Sequence, residues 1–177
     1  PDMPTMHVST PLRDRNGVVV GIVAVRVDVK ALNDLMLSLK LGKTGETYLV
    51  NKDGYMVTES RFARDLKNIG LIKRRCALEL KLVNRETDEL TTGVKQCVTG
   101  NNGFDAKGYK DYRGIAVLSV WRWLPEFNWG VIAEIDRDEG YGPAYNLNYL
   151  VSSVLIMLAF PIVIIAYFIG KKTSTPI

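Results

Sequence analysis

Catalysis needs a nucleophile, a base or a metal held by partners of the right type, and this chain is poor in such constellations. Its one histidine, His7, stands beside no candidate nucleophile, and no GxSxG, HExxH or Walker A sequence occurs. Cys76 and Cys97 are too far apart for a CxxC redox motif and have no companion ligands for zinc, so no metal and no cofactor is expected. A carboxylate pair such as Glu134 and Asp136 can be cast as acid and base, but two-residue spacing on a strand is equally that of one exposed face. The chain reads as a binding protein and not as an enzyme.

The residues best suited to hold a small ligand are Arg61, Tyr109, Asp111, Tyr112, Trp121 and Trp123. Arg61 can grip a carboxylate through two parallel hydrogen bonds, Asp111 can accept from an ammonium, and the aromatics can wall a pocket. The ligand would then be an amino acid, a carboxylate or an amine. Plainer readings compete: Trp121 and Trp123 share one strand face and suit a core, Arg61 can simply end its strand, and Tyr112-Arg113-Gly114 can exist only to turn the chain. The 177 residues carry a net charge of +4, yet no basic stripe is interleaved with aromatics, which excludes nucleic acid as a partner. The densest basic stretch, Arg61 to Arg75, can face lipid headgroups, an anionic ligand or plain solvent.

The elements that must position these residues follow from apolar periodicity. His7 to Leu12 and Val18 to Val29 flank Arg15-Asn16-Gly17 and read as a hairpin, and Leu32, Leu35, Met36 and Leu39 place a helix after Asp28. Glu46 to Asn51 and Tyr55 to Ser60 flank Lys52-Asp53-Gly54 as a second hairpin, with Tyr48 and Val50 on one face. Phe62 to Lys73 is irregular and polar, while Cys76 to Leu82 and Thr87 to Val98 show helical spacing. Strands follow at Tyr109 to Tyr112, Ile115 to Trp123 and Trp129 to Ile135. This order predicts an α+β fold, a PAS-like antiparallel sheet with flanking helices, plus a C-terminal transmembrane helix.

That last helix comes from the uncharged run Leu147 to Ile169, whose length at about 1.5 Å per residue matches a hydrocarbon core of about 30 Å. Pro161 should kink it. Lys171 and Lys172 follow the run while Asp136, Asp138 and Glu139 precede it, which orients the C-terminus toward the cytoplasm and everything before Tyr145 outside. In that compartment a Cys76–Cys97 disulfide would close a loop of about 20 residues, worth about 3 kcal/mol in the chain-entropy model. Two free thiols on buried helix faces are the alternative.

Leu41 to Phe62, LGKTGETYLVNKDGYMVTESRF, and Lys110 to Asp136, KDYRGIAVLSVWRWLPEFNWGVIAEID, resemble the membrane-proximal half of a double Cache domain, as in bacterial sensor histidine kinases, cyclases and chemoreceptors. The resemblance implies that residues 1–39 are the closing hairpin and linking helix of a truncated membrane-distal module. Residues 40–136 would be the proximal module, 137–145 a juxtamembrane stalk, 146–170 the membrane helix, and 171–177 the opening of a HAMP-like linker with Pro176 as its proline. Ligands of double Cache proteins are commonly held by the distal module, so recognition is expected to lie partly beyond these residues.

The function implied is extracytoplasmic sensing by an inner-membrane homodimer that relays small-molecule binding to a missing cytoplasmic effector. A dimerising spacer that binds nothing is the alternative, and an anchored hydrolase a third reading. Asp136, Glu139 and Pro161 are the expected coupling residues: Asp136 can cap the helix that follows the last strand while Glu139 reaches back, so a sheet shift of an ångström or two passes into the bilayer. Glu139→Ala is expected to weaken signalling in a receptor carrying its output domain, with thermal unfolding unchanged; full signalling by that variant would dispose of the capping role.

Overall fold

A computed structural model of the chain describes residues 6–27 and 29–173; Asp28 and Pro176, the expected helix start and linker proline, lie outside them. The chain opens with a two-stranded antiparallel ribbon, β1 (Met6–Arg13) and β2 (Val19–Val27). Its turn lies where the sequence places it. Asp14 Oδ1 accepts from the Asn16 and Val18 amides at 2.8 and 2.9 Å, and Gly17 supplies the left-handed φ of 83°. Apolar side chains on both faces of the ribbon stay exposed, Ile22 at 72% on one and Val25 at 57% on the other.

Helix α1 (Val29–Ser38) follows and covers one face of β3 (Glu46–Asn51), where Met36, Leu49 and Val57 form a small core against Trp129 and Val131. Strand β3 is one edge of a four-stranded antiparallel sheet in the order β3-β6-β5-β4, with β4 Gly103–Lys110, β5 Ala116–Leu124 and β6 Trp129–Asp136. The main core lies on the opposite face. Tyr48, Val50, Ile132 and Trp121 rise from the sheet to meet Leu66 of α2 (Ala63–Asn68), Val94 and Cys97 of α3 (Thr92–Val98), and Met56, Leu80 and Leu82 of the segment between β3 and α3.

That segment departs from the expected pattern. The second arm of the Lys52-Asp53-Gly54 hairpin shrinks to isolated bridges at Tyr55 and Met56. Beyond it the Glu59 carboxylate accepts from the Cys76 and Ala77 amides, at 2.9 and 3.2 Å, which draws the chain off the sheet. Residues 62–73, expected to be irregular, include α2, anchored by the buried Leu66. Cys76 to Leu82 is not helical, because its backbone bonds go to the hairpin: Leu78 N–H to the Met56 carbonyl, Met56 N–H to that of Leu80, Leu82 N–H to that of Gly54. The expected helix from Thr87 begins only at Thr92, since the Thr91 amide is spent on the Leu82 carbonyl. Strand β4 begins at Gly103 and ends at Lys110, so Asp111 and Tyr112 belong to the turn after it.

The cysteines are free and buried, and no disulfide joins them. Cys97 faces the sheet at Gly130, where a Cβ would sit 2.3 Å from Sγ, while the backbone amide of Cys76 is held by Glu59 in another part of the core. Burial raises both thiols, Cys76 to about 12 and Cys97 to about 11, so they remain protonated and unreactive at neutral pH.

The chain divides into two compact units, residues 1–137 and residues 138–177. The second consists of most of α4 (Arg137–Thr173), a single 37-residue helix that includes the expected stalk and carries Pro143 and Pro161 inside it. Its Arg137–Tyr167 portion is long and apolar enough to cross a membrane by length and composition, and its most apolar 18-residue stretch reaches a mean hydropathy of 2.5.

Gly130 tests the packing of α3 on the sheet, because a methyl there meets Cys97 Sγ at 2.3 Å and Val50 Cγ1 at 2.9 Å. Gly130→Ala should lower stability by about 1–3 kcal/mol in urea unfolding, the usual cost of overpacking. Adding Cys97→Ala should recover part of the loss; simple additivity of the two changes would show that they do not share this contact.

Candidate functional site

Strand alternation sends Glu46, Tyr48 and Val50 of β3 to the same face, and Ile132 and Glu134 of β6 meet them from the next strand. The main-core face therefore holds polar groups that the apolar core must accommodate. Glu46, 4% exposed, accepts from the Arg61 amide at 2.8 Å and from the Tyr112 hydroxyl at 2.5 Å. Tyr112 has a single proton and gives it to Glu46, so Ser60 must be the donor in the 3.0 Å contact between the two hydroxyls. Glu134, 3% exposed, accepts from the Tyr109 hydroxyl at 2.7 Å.

The turn after β4 adds an ion-pair cluster. Asp111 is fully buried, and its Oδ1 accepts from the amides of Arg113 and Ile115, at 2.8 and 3.0 Å, which shapes the turn. Arg113 Nε reaches Asp111 Oδ2 at 2.6 Å and its Nη2 reaches Asp136 Oδ1 at 2.7 Å, while the guanidinium stacks over the Phe62 ring at 4.2 Å. Burial alone would work against the Arg113 charge, but the two aspartates secure its proton. Asp136 also donates its amide to Thr44 Oγ1 at 3.1 Å, so the final residue of β6 is held from two sides one residue before α4 begins.

Burial and then the Asp111 charge push Glu134 up to about 8, and burial raises Glu46 against the hydrogen bonds it accepts. Tyr48, Tyr109 and Tyr112 are raised as well, each first by burial, so they act as neutral donors and never as phenolates.

Of the six residues expected to bind a ligand, the structure joins Tyr109, Asp111 and Tyr112 in this interior network and packs Trp121 into the main core, with Trp123 partly buried against it. Arg61 gives its guanidinium to the Gly45 carbonyl. The cavity beside Arg61 is about 10 Å³, room for at most one water and not for a ligand carboxylate. Tyr109 borders a larger, polar cavity of about 180 Å³ with Asn84, Glu89, Thr91, Lys95 and Lys110; the Thr91 hydroxyl is buried and has no hydrogen-bond partner among the described residues. Glu134 and Asp136 are not an exposed acid–base pair: Glu134 is interior and Asp136 is bound to Arg113. Sequence reasoning missed Glu46, Ser60 and Arg113. The same alternation that faced Tyr48 and Val50 together places Glu46 with them, so that one was readable; Arg113 was not, since its partners are 2 and 23 residues away.

The sequence profile of the Cache domain matches residues 3–144. The chain belongs to the Cache domain family. Among solved structures it shares its fold with the extracellular domain of mmHK1S-Z3, a protein described as a histidine kinase, at 15% identity and a TM-score of 0.54 over 81% of this chain and 48% of that one. The corresponding domain of mmHK1S-Z2 matches at 17% identity and TM-score 0.51, over 76% and 46%. The ligand-binding domain of the Pseudomonas aeruginosa amino acid chemoreceptor PctB, solved with L-Arg, matches at 17% and 0.50, over 89% and 55%. The chain thus spans about half the length of these solved relatives. No curated protein sequence matches it.

Arg113 is the sole cation bonded to Asp111 and Asp136 among the contacts described, which makes it the residue to remove. Arg113→Met should cost about 3–5 kcal/mol, because it strands a buried carboxylate without its partner. Arg113→Lys should recover only part of that, since one ammonium cannot span both aspartates as the fork does; equilibrium unfolding at pH 7 measures both.

Proposed function

We propose that this chain is the sensing and membrane-anchoring part of a transmembrane signalling receptor, with its Cache module outside the cytoplasm and its C-terminus inside. One observation carries the reading: β6, a central strand of the sheet, ends at Asp136 and α4 begins at Arg137, so the strand passes into the apolar helix without a loop. Strain in the sheet therefore has a covalent path to the helix. The effector beyond α4 would be of the histidine kinase, cyclase or chemotaxis type, in a homodimer.

The exposed ribbon β1–β2 fits as the end of a membrane-distal module. A two-stranded ribbon with apolar side chains on both faces is marginal by itself, and the solved relatives are about twice as long. PctB, crystallised with L-Arg, supports a small polar ligand as stimulus. In the proximal module the 180 Å³ polar cavity lined by Tyr109, Thr91 and Lys95 is the place for one. The spacer reading is favoured by a different observation: the main-core face is filled by the protein's own Glu46, Tyr112 and Trp121.

Two measurements test the proposal. In spheroplasts, added protease should digest the segment ahead of α4 and spare a C-terminal tag; protection of the folded part would overturn the orientation. Thermal shifts of the detergent-solubilised chain against amino acids, carboxylates and amines should find a ligand that stabilises by about 2.7 kcal/mol at a hundredfold excess over Kd. A flat response across the panel would favour the spacer.

A further inference from the structure

We propose that Glu46 and Glu134, paired directly across β3 and β6, are a proton-operated switch through which the module senses the pH of the compartment it faces. It rests on the receptor reading only for that compartment being extracytoplasmic.

The two glutamates are register partners in the antiparallel ladder, so their Cβ atoms are about 4.5–5.5 Å apart. Both are removed from water; of the cations nearby among the described residues, Arg113 is already bonded to Asp111 and Asp136, and the Arg61 guanidinium is bonded to the Gly45 carbonyl beside Glu46. With both ionised, two like charges would face each other in the interior without a direct ion pair to either in the bonds described. The pair resolves this by keeping a proton, and the charge on each carboxyl affects how tightly the other holds it.

The other groups around the pair leave this proton as the one that moves. Strand β3 contributes Tyr48, β4 contributes Tyr109, and the following turn contributes Asp111, Tyr112 and Arg113. The segment between β3 and α3 contributes the Ser60 hydroxyl and the Arg61 amide, with Glu59 and Cys76 beyond them, and α3 presents the Gly93 backbone to Tyr109. The three tyrosines and Cys76 are raised above their ordinary values and stay protonated through neutral pH, and Arg113 stays charged. Glu134, pushed up to about 8, is the group that changes charge there.

Access and output are both present. Tyr109 joins Glu134 to the polar cavity beside α3, a route for solvent protons, and Glu134 lies two residues before the end of the strand that enters α4. Loss of the proton drives β3 and β6 apart at that point. Because Glu134 holds its proton more tightly folded than unfolded, its contribution to stability is complete below the unfolded value near 4.5 and disappears as pH rises through about 8.

The test uses the full chain in detergent. Infrared difference spectra across pH 6 to 9 should show the carbonyl stretch of a protonated carboxyl disappearing with a midpoint near 8. Glu134→Gln should abolish that band, and the melting temperature, falling with pH in the wild type, should become flat over the same range. Glu46→Gln should leave the band and shift its midpoint downward, since one of the two like charges facing Glu134 is gone while Asp111 remains. A wild-type spectrum with no carboxyl titrating in this range overturns the switch, even if Glu134→Gln does not fold. The protease experiment is independent of it: a reversed orientation would refute the extracytoplasmic reading, while the band decides the switch.

Discussion

A carboxylate withdrawn from water has to be paired, hydrogen-bonded or protonated, and the described core contains three of them. Asp111 takes the first course, through Arg113 and two backbone amides. Glu46 takes the second, bound by a tyrosine hydroxyl and the Arg61 amide. Glu134, opposite Glu46 and accepting from Tyr109, is left to the third. Much of the arrangement around the sheet follows from serving these groups. The turn after β4 brings Tyr112 and Arg113 inward, the chain bends at Ser60-Arg61 to present an amide, and Asp136 is tied to the same guanidinium as Asp111.

The same constraint separates binding from signalling roles. Side chains that looked suited to an external ligand are occupied with internal ones, so the main-core face of the sheet is satisfied without a guest. The open polar space lies instead at the edge, between α3 and β4, where Thr91 and Tyr109 meet solvent-facing lysines. A module built this way can respond to a molecule at its edge or to a proton in its interior. On the reading proposed above, either stimulus would act on β6, which is bonded on both sides to neighbouring strands and runs on into α4.

Local pattern made much of the fold legible. Alternation and turn residues located the β1–β2 ribbon, β3, β5 and β6 to within a residue or two, and an uncharged run located the apolar helix. Pattern failed between β3 and α3. There Cys76 to Leu82 has helical spacing, yet its amides and carbonyls are claimed by Gly54 and Met56 more than 20 residues earlier. Helical spacing in a segment this short says only which side chains are buried, and the hairpin's unpaired backbone decided its conformation.

The chain's own residues determined that it has an antiparallel α+β sensor-type fold and a helix apolar enough to span a bilayer, because burial periodicity and run length are properties of consecutive positions. Which carboxylates would share the interior was decided only by tertiary structure. Glu46 and Glu134 are 88 positions apart, and they oppose each other because β6 inserts between β3 and β5 in one register. Their charge state depends on distance and dielectric, and both exist only once the sheet has closed over them.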